Sequence, residues 1–257
     1  MIETVVIIGA GNLATQLSLA LHEKGIEILQ VYSRTEESAK VLAKKVESDF
    51  TNSLHEINSK ADLYIFALSD KALLPTLGEM FVPMEKVVHT AGSIPADVFD
   101  NYARDYGVFY PLQTFSKQRK VDFSNIPICI EANDKELQNE LFDLGTKISN
   151  SVHLITSEQR KQLHLAAVFT CNFVNHMYSI GQKLLEEKDV NFELLQPLIQ
   201  ETAQKVLELD PISAQTGPAV RFDEEIMNSH EKALKDSPDF QKLYRFVSES
   251  IYKMHNE

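Results

Sequence analysis

Cysteine is scarce in this chain, and basic residues are outnumbered. Only Cys129 and Cys171 occur, far apart and with no C-x-x-C pair. That argues against a disulfide framework or a structural zinc site and fits a reducing, cytoplasmic setting. Lys and Arg number 25 against 37 Asp and Glu, for a net charge of −12, the reverse of the electrostatic footprint of a nucleic-acid binder. No cluster of His, Cys and carboxylates has metal-ligand spacing. Met1-Ile2-Glu3-Thr4 leads straight into an apolar run, without the basic region and small-residue cleavage site of a secretory signal. Charge is also missing from Gln162 to Gln182, a stretch close to the roughly 20 residues that span a bilayer. Gln162, His164, Asn172, Asn175 and His176 within it speak against lipid. They suit a helix buried in protein or at a subunit interface, where polar groups find partners. On this reading Cys171 and His176 are core residues.

What is present is enough for a core: 257 residues, 44% of them hydrophobic, in one large domain or two small ones. Residues 4–8, Thr-Val-Val-Ile-Ile, have the unbroken β-branched character of a strand covered on both faces. Gly9-Ala10-Gly11 breaks the run. Leu13, Leu17, Ala20 and Leu21 then recur at helical spacing until Gly25, before a second strand from Ile28 to Tyr32. The alternation continues with a helix at 36–45, a strand at 63–68, a helix after Asp70 and a strand at 86–89. Further strands are predicted at 107–110, 126–131 and 153–155, with a helix at 135–147 between the last two. From Ser157 a helical rhythm runs for some thirty residues, and segments 193–207, 224–234 and 238–255 also read as helices. The pattern predicts an α/β, doubly wound domain over residues 1–153 followed by an all-helical domain over 154–257.

Gly9-Ala10-Gly11-Asn12-Leu13-Ala14 fits G-x-G-x-x-A. The first glycine makes a tight turn, the second lets a pyrophosphate approach the backbone, and the last small residue permits close packing of helix on strand. Taken alone the motif is weak, since many βα loops carry glycines. Here it follows a predicted strand and opens a helix inside a βαβ unit, which is the Rossmann-like context for a dinucleotide at a helix N-terminus. An NAD site normally has a carboxylate at the end of the second strand. Ser33, Arg34 and Thr35 stand there instead, offering hydroxyls and a guanidinium to a 2′-phosphate and favouring NADP. Leu68 and Ser69, after the strand at 63–68, fall on the edge where the ligand crevice opens. The bland alternative for Arg34 is a solvated residue at a helix start.

These residues carry a resemblance. Gly9-Ala10-Gly11-Asn12, Tyr32-Ser33-Arg34-Thr35 and Ala67-Leu68-Ser69-Asp70 look like the cofactor signature of the NADP-linked β-hydroxyacid dehydrogenase and pyrroline-5-carboxylate reductase superfamily. Over nearly its whole length the chain resembles a group of Rossmann-like NADP oxidoreductases with an all-helical C-terminal domain, related to the deazaflavin-dependent NADP reductases. That likeness rests on His89-Thr90-Ala91-Gly92-Ser93, Tyr110-Pro111-Leu112-Gln113-Thr114-Phe115, His164-Leu165-Ala166-Ala167 with Asn172-Phe173, and Thr216-Gly217-Pro218-Ala219-Val220-Arg221. The resemblance implies NADP as cofactor and leaves the substrate open. In the better-known dehydrogenases a catalytic lysine precedes an asparagine by one helical turn. Asn172 matches the asparagine, but Val168 stands where the lysine would be, so the usual acid/base does not carry over.

Other residues are therefore the catalytic candidates. His164 and Asn172, eight residues apart, would share one flank of a regular helix. A histidine suits protonation of a developing alkoxide or amine during hydride transfer, and an asparagine suits holding a carbonyl. His89 ends a strand at the same crevice edge and runs into Ser93. Gln113 and Thr114 follow the next strand as candidate substrate contacts, with Pro111 read equally as a strand terminator. Arg221 is suited to bidentate capture of a carboxylate, or else pairs with Asp223, Glu224 or Glu225. For each histidine the competing reading is a buried, hydrogen-bonded structural residue.

Two functions compete, beside a third reading in which the Rossmann-like fold is only an interaction scaffold. One is an NADP-dependent oxidoreductase acting on a small carbonyl, imine or deazaflavin-type acceptor at a cleft between the domains. The other is a catalytically silent NADP(H)-binding sensor. The uncharged helix and the apolar stripe of the small domain further predict a homodimer built through helices.

Overall fold

A continuous apolar strand is stable only when both of its faces are covered, and the first strand meets that condition. In the computed structural model, which describes residues 1–80 and 82–256, β1 (Thr4–Ile8) lies at the centre of a sheet. Val5 and Ile7 belong to one buried cluster and Val6 and Ile8 to another, as alternation along a strand requires. The first cluster takes in Leu17 and Leu21 of α1 (Asn12–Glu23) and Leu137, Leu141 and Leu144 of α4 (Lys135–Ile148). The second takes in Leu73 and Leu77 of α3 (Asp70–Gly78) and Phe99. The sheet is thus sandwiched between helical layers.

The other strands are β2 (Glu27–Tyr32), β3 (Asp49–Thr51), β4 (Leu63–Phe66), β5 (Lys86–His89), β6 (Asp105–Pro111), β7 (Ile128–Ala132) and β8 (Val152–Leu154), with α2 (Glu36–Lys45) between β2 and β3. Among the described residues the order is β3-β2-β1-β4-β5-β6-β7-β8. Strands β1 to β6 are mutually parallel, β7 is antiparallel to β6, and β8 is parallel to β7. The doubly wound α/β reading therefore holds, and the switch in connection falls between β1 and β4, where crevices form in such sheets. The periodicity did not predict β3, whose three residues are too few to show a pattern. Pro111 closes β6 from within the strand, opposite Ile128.

Beyond β8 the chain is helical: α5 (Ser157–Ala167), α6 (Val174–Glu186), α7 (Gln196–Glu208), the single turn α8 (Pro211–Ala214), α9 (Glu224–Ala233) and α10 (Pro238–Asn256). Thr156 caps α5 with a capping box to Gln159, which satisfies two otherwise orphaned N–H groups. The long helix expected from Ser157 is interrupted by a π-helical segment at Val168–Phe173. A π turn takes up more residues than an α turn, so the argument that an eight-residue spacing puts His164 and Asn172 on one regular flank does not apply.

Two compact units are present, Met1–Cys171 and Asn172–Glu257. The division lies inside the π segment and not at residue 153, because α5 packs onto the sheet unit: its Leu163 joins Val108 and Tyr110 of β6 and Cys129 of β7. In the second unit Ala219 and Met227 are the buried hydrophobic residues among those described. The uncharged stretch is correspondingly open in the single chain. Leu165 and Met177 are exposed, and so are Cys171 and His176, against the reading of the last two as core. Among the described residues no helix is long and apolar enough to cross a membrane.

Candidate functional site

Because β1, β4, β5 and β6 are parallel, the segments that follow them converge on one edge of the sheet. Gly9 leaves β1 with φ of 130°, a conformation that L side chains rarely adopt. A Cβ there would stand 2.3 Å from the carbonyl oxygen of Ala67, after β4. The glycine is thus required twice, by the turn and by the neighbouring backbone. Gly11 caps α1 with no side-chain cap, and a Cβ built on it would meet nothing within 4 Å. With no acidic residue in the first turn, this helix start leaves Leu13 and Ala14 N–H groups and the positive dipole end for an anion.

Around this cradle the sequence candidates fall as follows. The Leu68 side chain lies beside the Gly9 turn, and the Ser69 carbonyl accepts from Ala72 N–H at the start of α3. The Asn12 side chain is spent elsewhere, donating to the carbonyl of Phe115 at 3.0 Å, so only its main chain remains for a ligand. Ser33, Arg34 and Thr35 follow β2. Thr35 donates to Ser38 at 2.7 Å, whereas Arg34 is exposed and in no salt bridge among the described residues. A concavity of about 190 Å³ lined by Ala10, Thr15, Ser38, Lys45 and Lys117, among others, adjoins the loop. The two lysines escaped sequence reasoning because they approach the loop from α2 and from the segment after β6. These residues fit a phosphorylated dinucleotide: an open backbone cradle, a helix N-terminus and cations in no salt bridge among the described residues.

At the ends of β5 and β6 lies a second group. His89 is 0% exposed. Its Nδ1 accepts from Ala91 N–H at 3.1 Å, which leaves Nε2 to carry the proton and donate to the Pro95 carbonyl at 3.3 Å. Burial, and then the nearby charge of Arg160, push its pKa down to about 4. With both nitrogens used inward and no access to solvent, His89 is a structural residue that holds the 90–96 loop, and its reading as a catalytic acid is corrected.

Arg160, absent from the sequence candidates, is the centre of that loop's support. It is 0% exposed and pairs with Glu131 of β7. It also donates to the Ile94 carbonyl at 2.5 Å and to Ser157 at 3.1 Å. Its Nε has no partner among the described residues. Ser157 in turn donates to Glu131 at 2.7 Å and accepts from Ala96 N–H. One buried cation therefore fastens α5, β7 and the loop after β5 together. An arginine in the charged run Glu158-Gln159-Arg160-Lys161 gives no sequence signal for such a role.

One turn along α5 from Arg160, His164 is half-buried and faces that loop. A Cβ on Gly92 would lie 2.5 Å from His164 Nδ1, so only glycine lets the loop pass so close. The Tyr110 hydroxyl is 3.1 Å from His164 Nδ1. Ser93, next along the loop, donates to the Asp70 carboxylate at the start of α3. His164 and Ser93 are thus brought to one place. Gln113 and Thr114 hydrogen-bond to each other and make no bond to that group. Asn172 and Arg221 belong to the second unit, where both are exposed. Arg221 forms none of the salt bridges with Asp223, Glu224 or Glu225 that were the alternative for it. Among the described residues no group of three or more His, Cys, Asp or Glu is placed to hold a metal ion.

Comparison with known proteins accords with this geometry. Residues 4–88 match the family described as NADP oxidoreductase coenzyme F420-dependent, and residues 126–251 match a domain of unknown function, DUF2520. A Bacteroides fragilis protein provisionally named an NADP oxidoreductase is 51% identical, with 98% of each chain covered and a TM-score of 0.92. At the level of fold alone, a reductive aminase from Aspergillus terreus in complex with NADPH is 12% identical (98% and 95% covered, TM-score 0.75). An imine reductase from Myxococcus stipitatus in complex with NADP+ is 14% identical (98% and 93% covered, TM-score 0.67). None of the curated proteins compared matches the chain.

Proposed function

The chain belongs to the NADP oxidoreductase family in which a coenzyme F420-dependent-type domain precedes a DUF2520 domain, and from this we propose that it transfers a hydride between NADP(H) and a small carbonyl or imine compound, with His164 holding the proton that goes to the acceptor atom. The observation that carries the reading is the placement, on one edge of one sheet, of an open glycine cradle after β1 and a partly exposed histidine against the loop after β5. When bound, NADPH supplies the hydride. The chain's residues do the rest. Gly9 and Gly11 admit the pyrophosphate to the N–H groups of Leu13 and Ala14. Arg34, flanked in the chain by Ser33 and Thr35, neutralises the 2′-phosphate. His164 presents a ring nitrogen to the substrate, which is the role a general acid needs.

Calorimetric titration with NADPH and NADH tests the cofactor site. NADPH is expected to bind the more tightly, and Arg34→Ala to weaken NADPH by roughly 10- to 100-fold, in line with the ~1.5–3 kcal/mol of a charge-assisted bond, while leaving NADH unchanged. Consumption of NADPH is then followed over a panel of small carbonyls, imines and a deazaflavin. Failure to bind either nucleotide overturns the reading, and binding without consumption by any acceptor favours a silent NADP(H) sensor.

We propose in addition that the second unit forms a homodimer. Leu207 is 78% and Phe246 71% exposed, and a groove of about 290 Å³ is lined by Met177, Ile180, Leu184, Leu243 and Ile251, among others. Apolar surface on this scale marks an interaction face, and a second copy is the common partner for a helical unit of this kind. Sedimentation at micromolar concentration is expected to give twice the chain mass of 29.1 kDa. A monomer would exclude the dimer.

A further inference from the structure

Tyr110 is buried among Ala96, Val108 and Cys129, and a phenol in such a place has one proton to give away. Its hydroxyl is 3.1 Å from His164 Nδ1, and that nitrogen is the one acceptor within reach among the described residues. The two rings stand at 70° with centroids 6.2 Å apart. Behind the imidazole the Gly92 backbone forms a stop: a Cβ there would lie 2.5 Å from Nδ1, 2.6 Å from Cγ and 3.0 Å from the His164 Cβ. No hydrogen bond to Nε2 is formed by the described residues. His164 is partly exposed, with Nδ1 held by the protein and Nε2 in no hydrogen bond among the described residues.

We propose that Tyr110 is a positioning residue that donates to His164 Nδ1 and so fixes the neutral ring as its Nε2–H tautomer, making Nε2–H the hydrogen-bond donor offered to the substrate. This rests on the reading of His164 as the proton holder and deepens it. The phenol stays protonated across the working range, because burial pushes its pKa up to about 12. It is a donor throughout and does not act as a base. His89 shows the contrast. Its Nδ1 is also an acceptor, from Ala91 N–H, but its Nε2 proton is turned inward to Pro95, while His164 Nε2 has no such partner among the described residues. A ring that presents N–H outward suits an uncharged acceptor atom, such as a carbonyl oxygen or neutral imine nitrogen. An already protonated iminium would find no acceptor on it.

Nitrogen-15 NMR of the histidine side chains in the full-length protein decides the matter without nucleotide or substrate, so a failure to find turnover would leave this inference standing. The pH is set well above the ordinary histidine range, and His164→Gln identifies the His164 signals by their disappearance. The wild type is expected to show a proton on Nε2 and a hydrogen-bonded, acceptor-type Nδ1. Tyr110→Phe, which removes only the hydroxyl, is expected to populate the Nδ1–H form and so to move the averaged Nδ1 resonance upfield, toward the protonated range, while His89 keeps its signals. A wild-type His164 protonated on Nδ1, or an Nδ1 resonance unmoved in Tyr110→Phe, would overturn the proposal. The wild-type spectrum alone suffices if the variant does not fold.

Discussion

Arg160→Ala is expected to lower the stability of the Met1–Cys171 unit by about 3–5 kcal/mol at neutral pH, the usual consequence of removing one partner from a buried ion pair. The arginine is fully enclosed, while Glu131 retains 23% of its side-chain exposure, which places the effect toward the lower end of that range. The loss also includes the bonds to Ile94 and Ser157 and the void left by a long side chain. At roughly 2–4 °C per kcal/mol for a unit of this size, the melting temperature falls by about 6–20 °C. Replacing both Arg160 and Glu131 by apolar residues of similar volume is expected to recover much of the loss, since the remaining charge is the main penalty. A melting temperature unchanged in Arg160→Ala would mean that the clamp contributes nothing.

The same substitution has a pH signature through His89. Its pKa is about 4 in the folded protein against an ordinary 6.5, so between those values the unfolded chain binds the extra proton. The associated stability is fully present above pH 6.5 and is lost as the pH falls through 4, a span worth on the order of 3 kcal/mol. Burial is the larger cause and the charge of Arg160 the next. In Arg160→Ala the folded pKa therefore moves back toward its ordinary value, and the acid-side loss becomes shallower. Urea unfolding of both proteins across this pH range measures it, and parallel slopes would contradict the assigned cause.

His164→Gln is expected to reduce kcat by about 10²–10⁴-fold for whichever acceptor the wild type reduces, the range that a positioned general acid contributes. The dissociation constant for NADPH is expected to stay near that of the wild type, because His164 lies at the β5–β6 end of the edge and not at the Gly9–Ala14 cradle. KM changes less than kcat if the interaction is made mainly in the transition state. A kcat equal to that of the wild type would show that the proton comes from another source, such as water. A change in KM alone would make His164 a binding residue.

The legible part of this protein was its local chemistry. The unbroken run at 4–8 announced a central strand, because a strand covered on both faces has no polar alternation to show. Gly9-Ala10-Gly11 announced the turn, since φ of 130° is a requirement on one residue type at one position. Ser33-Arg34-Thr35 at the end of β2 pointed to NADP because the position follows directly from the βαβ unit.

What the sequence could not disclose was decided by contacts between residues far apart in it. His89 and His164 are equal candidates in the chain, one at a strand end and the other on a helix. Only the fold encloses His89 behind Ala91 and Pro95 and leaves His164 partly exposed against Gly92. Arg160 resembles any surface arginine until Glu131 and the Ile94 carbonyl, 29 and 66 residues away, close around it. The π segment at Val168–Phe173 likewise leaves no mark in a hydrophobic pattern written for α-helices, yet it carries the division between the two units. By itself the sequence determined the central strands, the cradle and the cofactor class, since each depends on short-range backbone and side-chain chemistry. Which histidine can give up a proton depends on desolvation and on hydrogen-bond partners, and those exist only once distant segments have packed together.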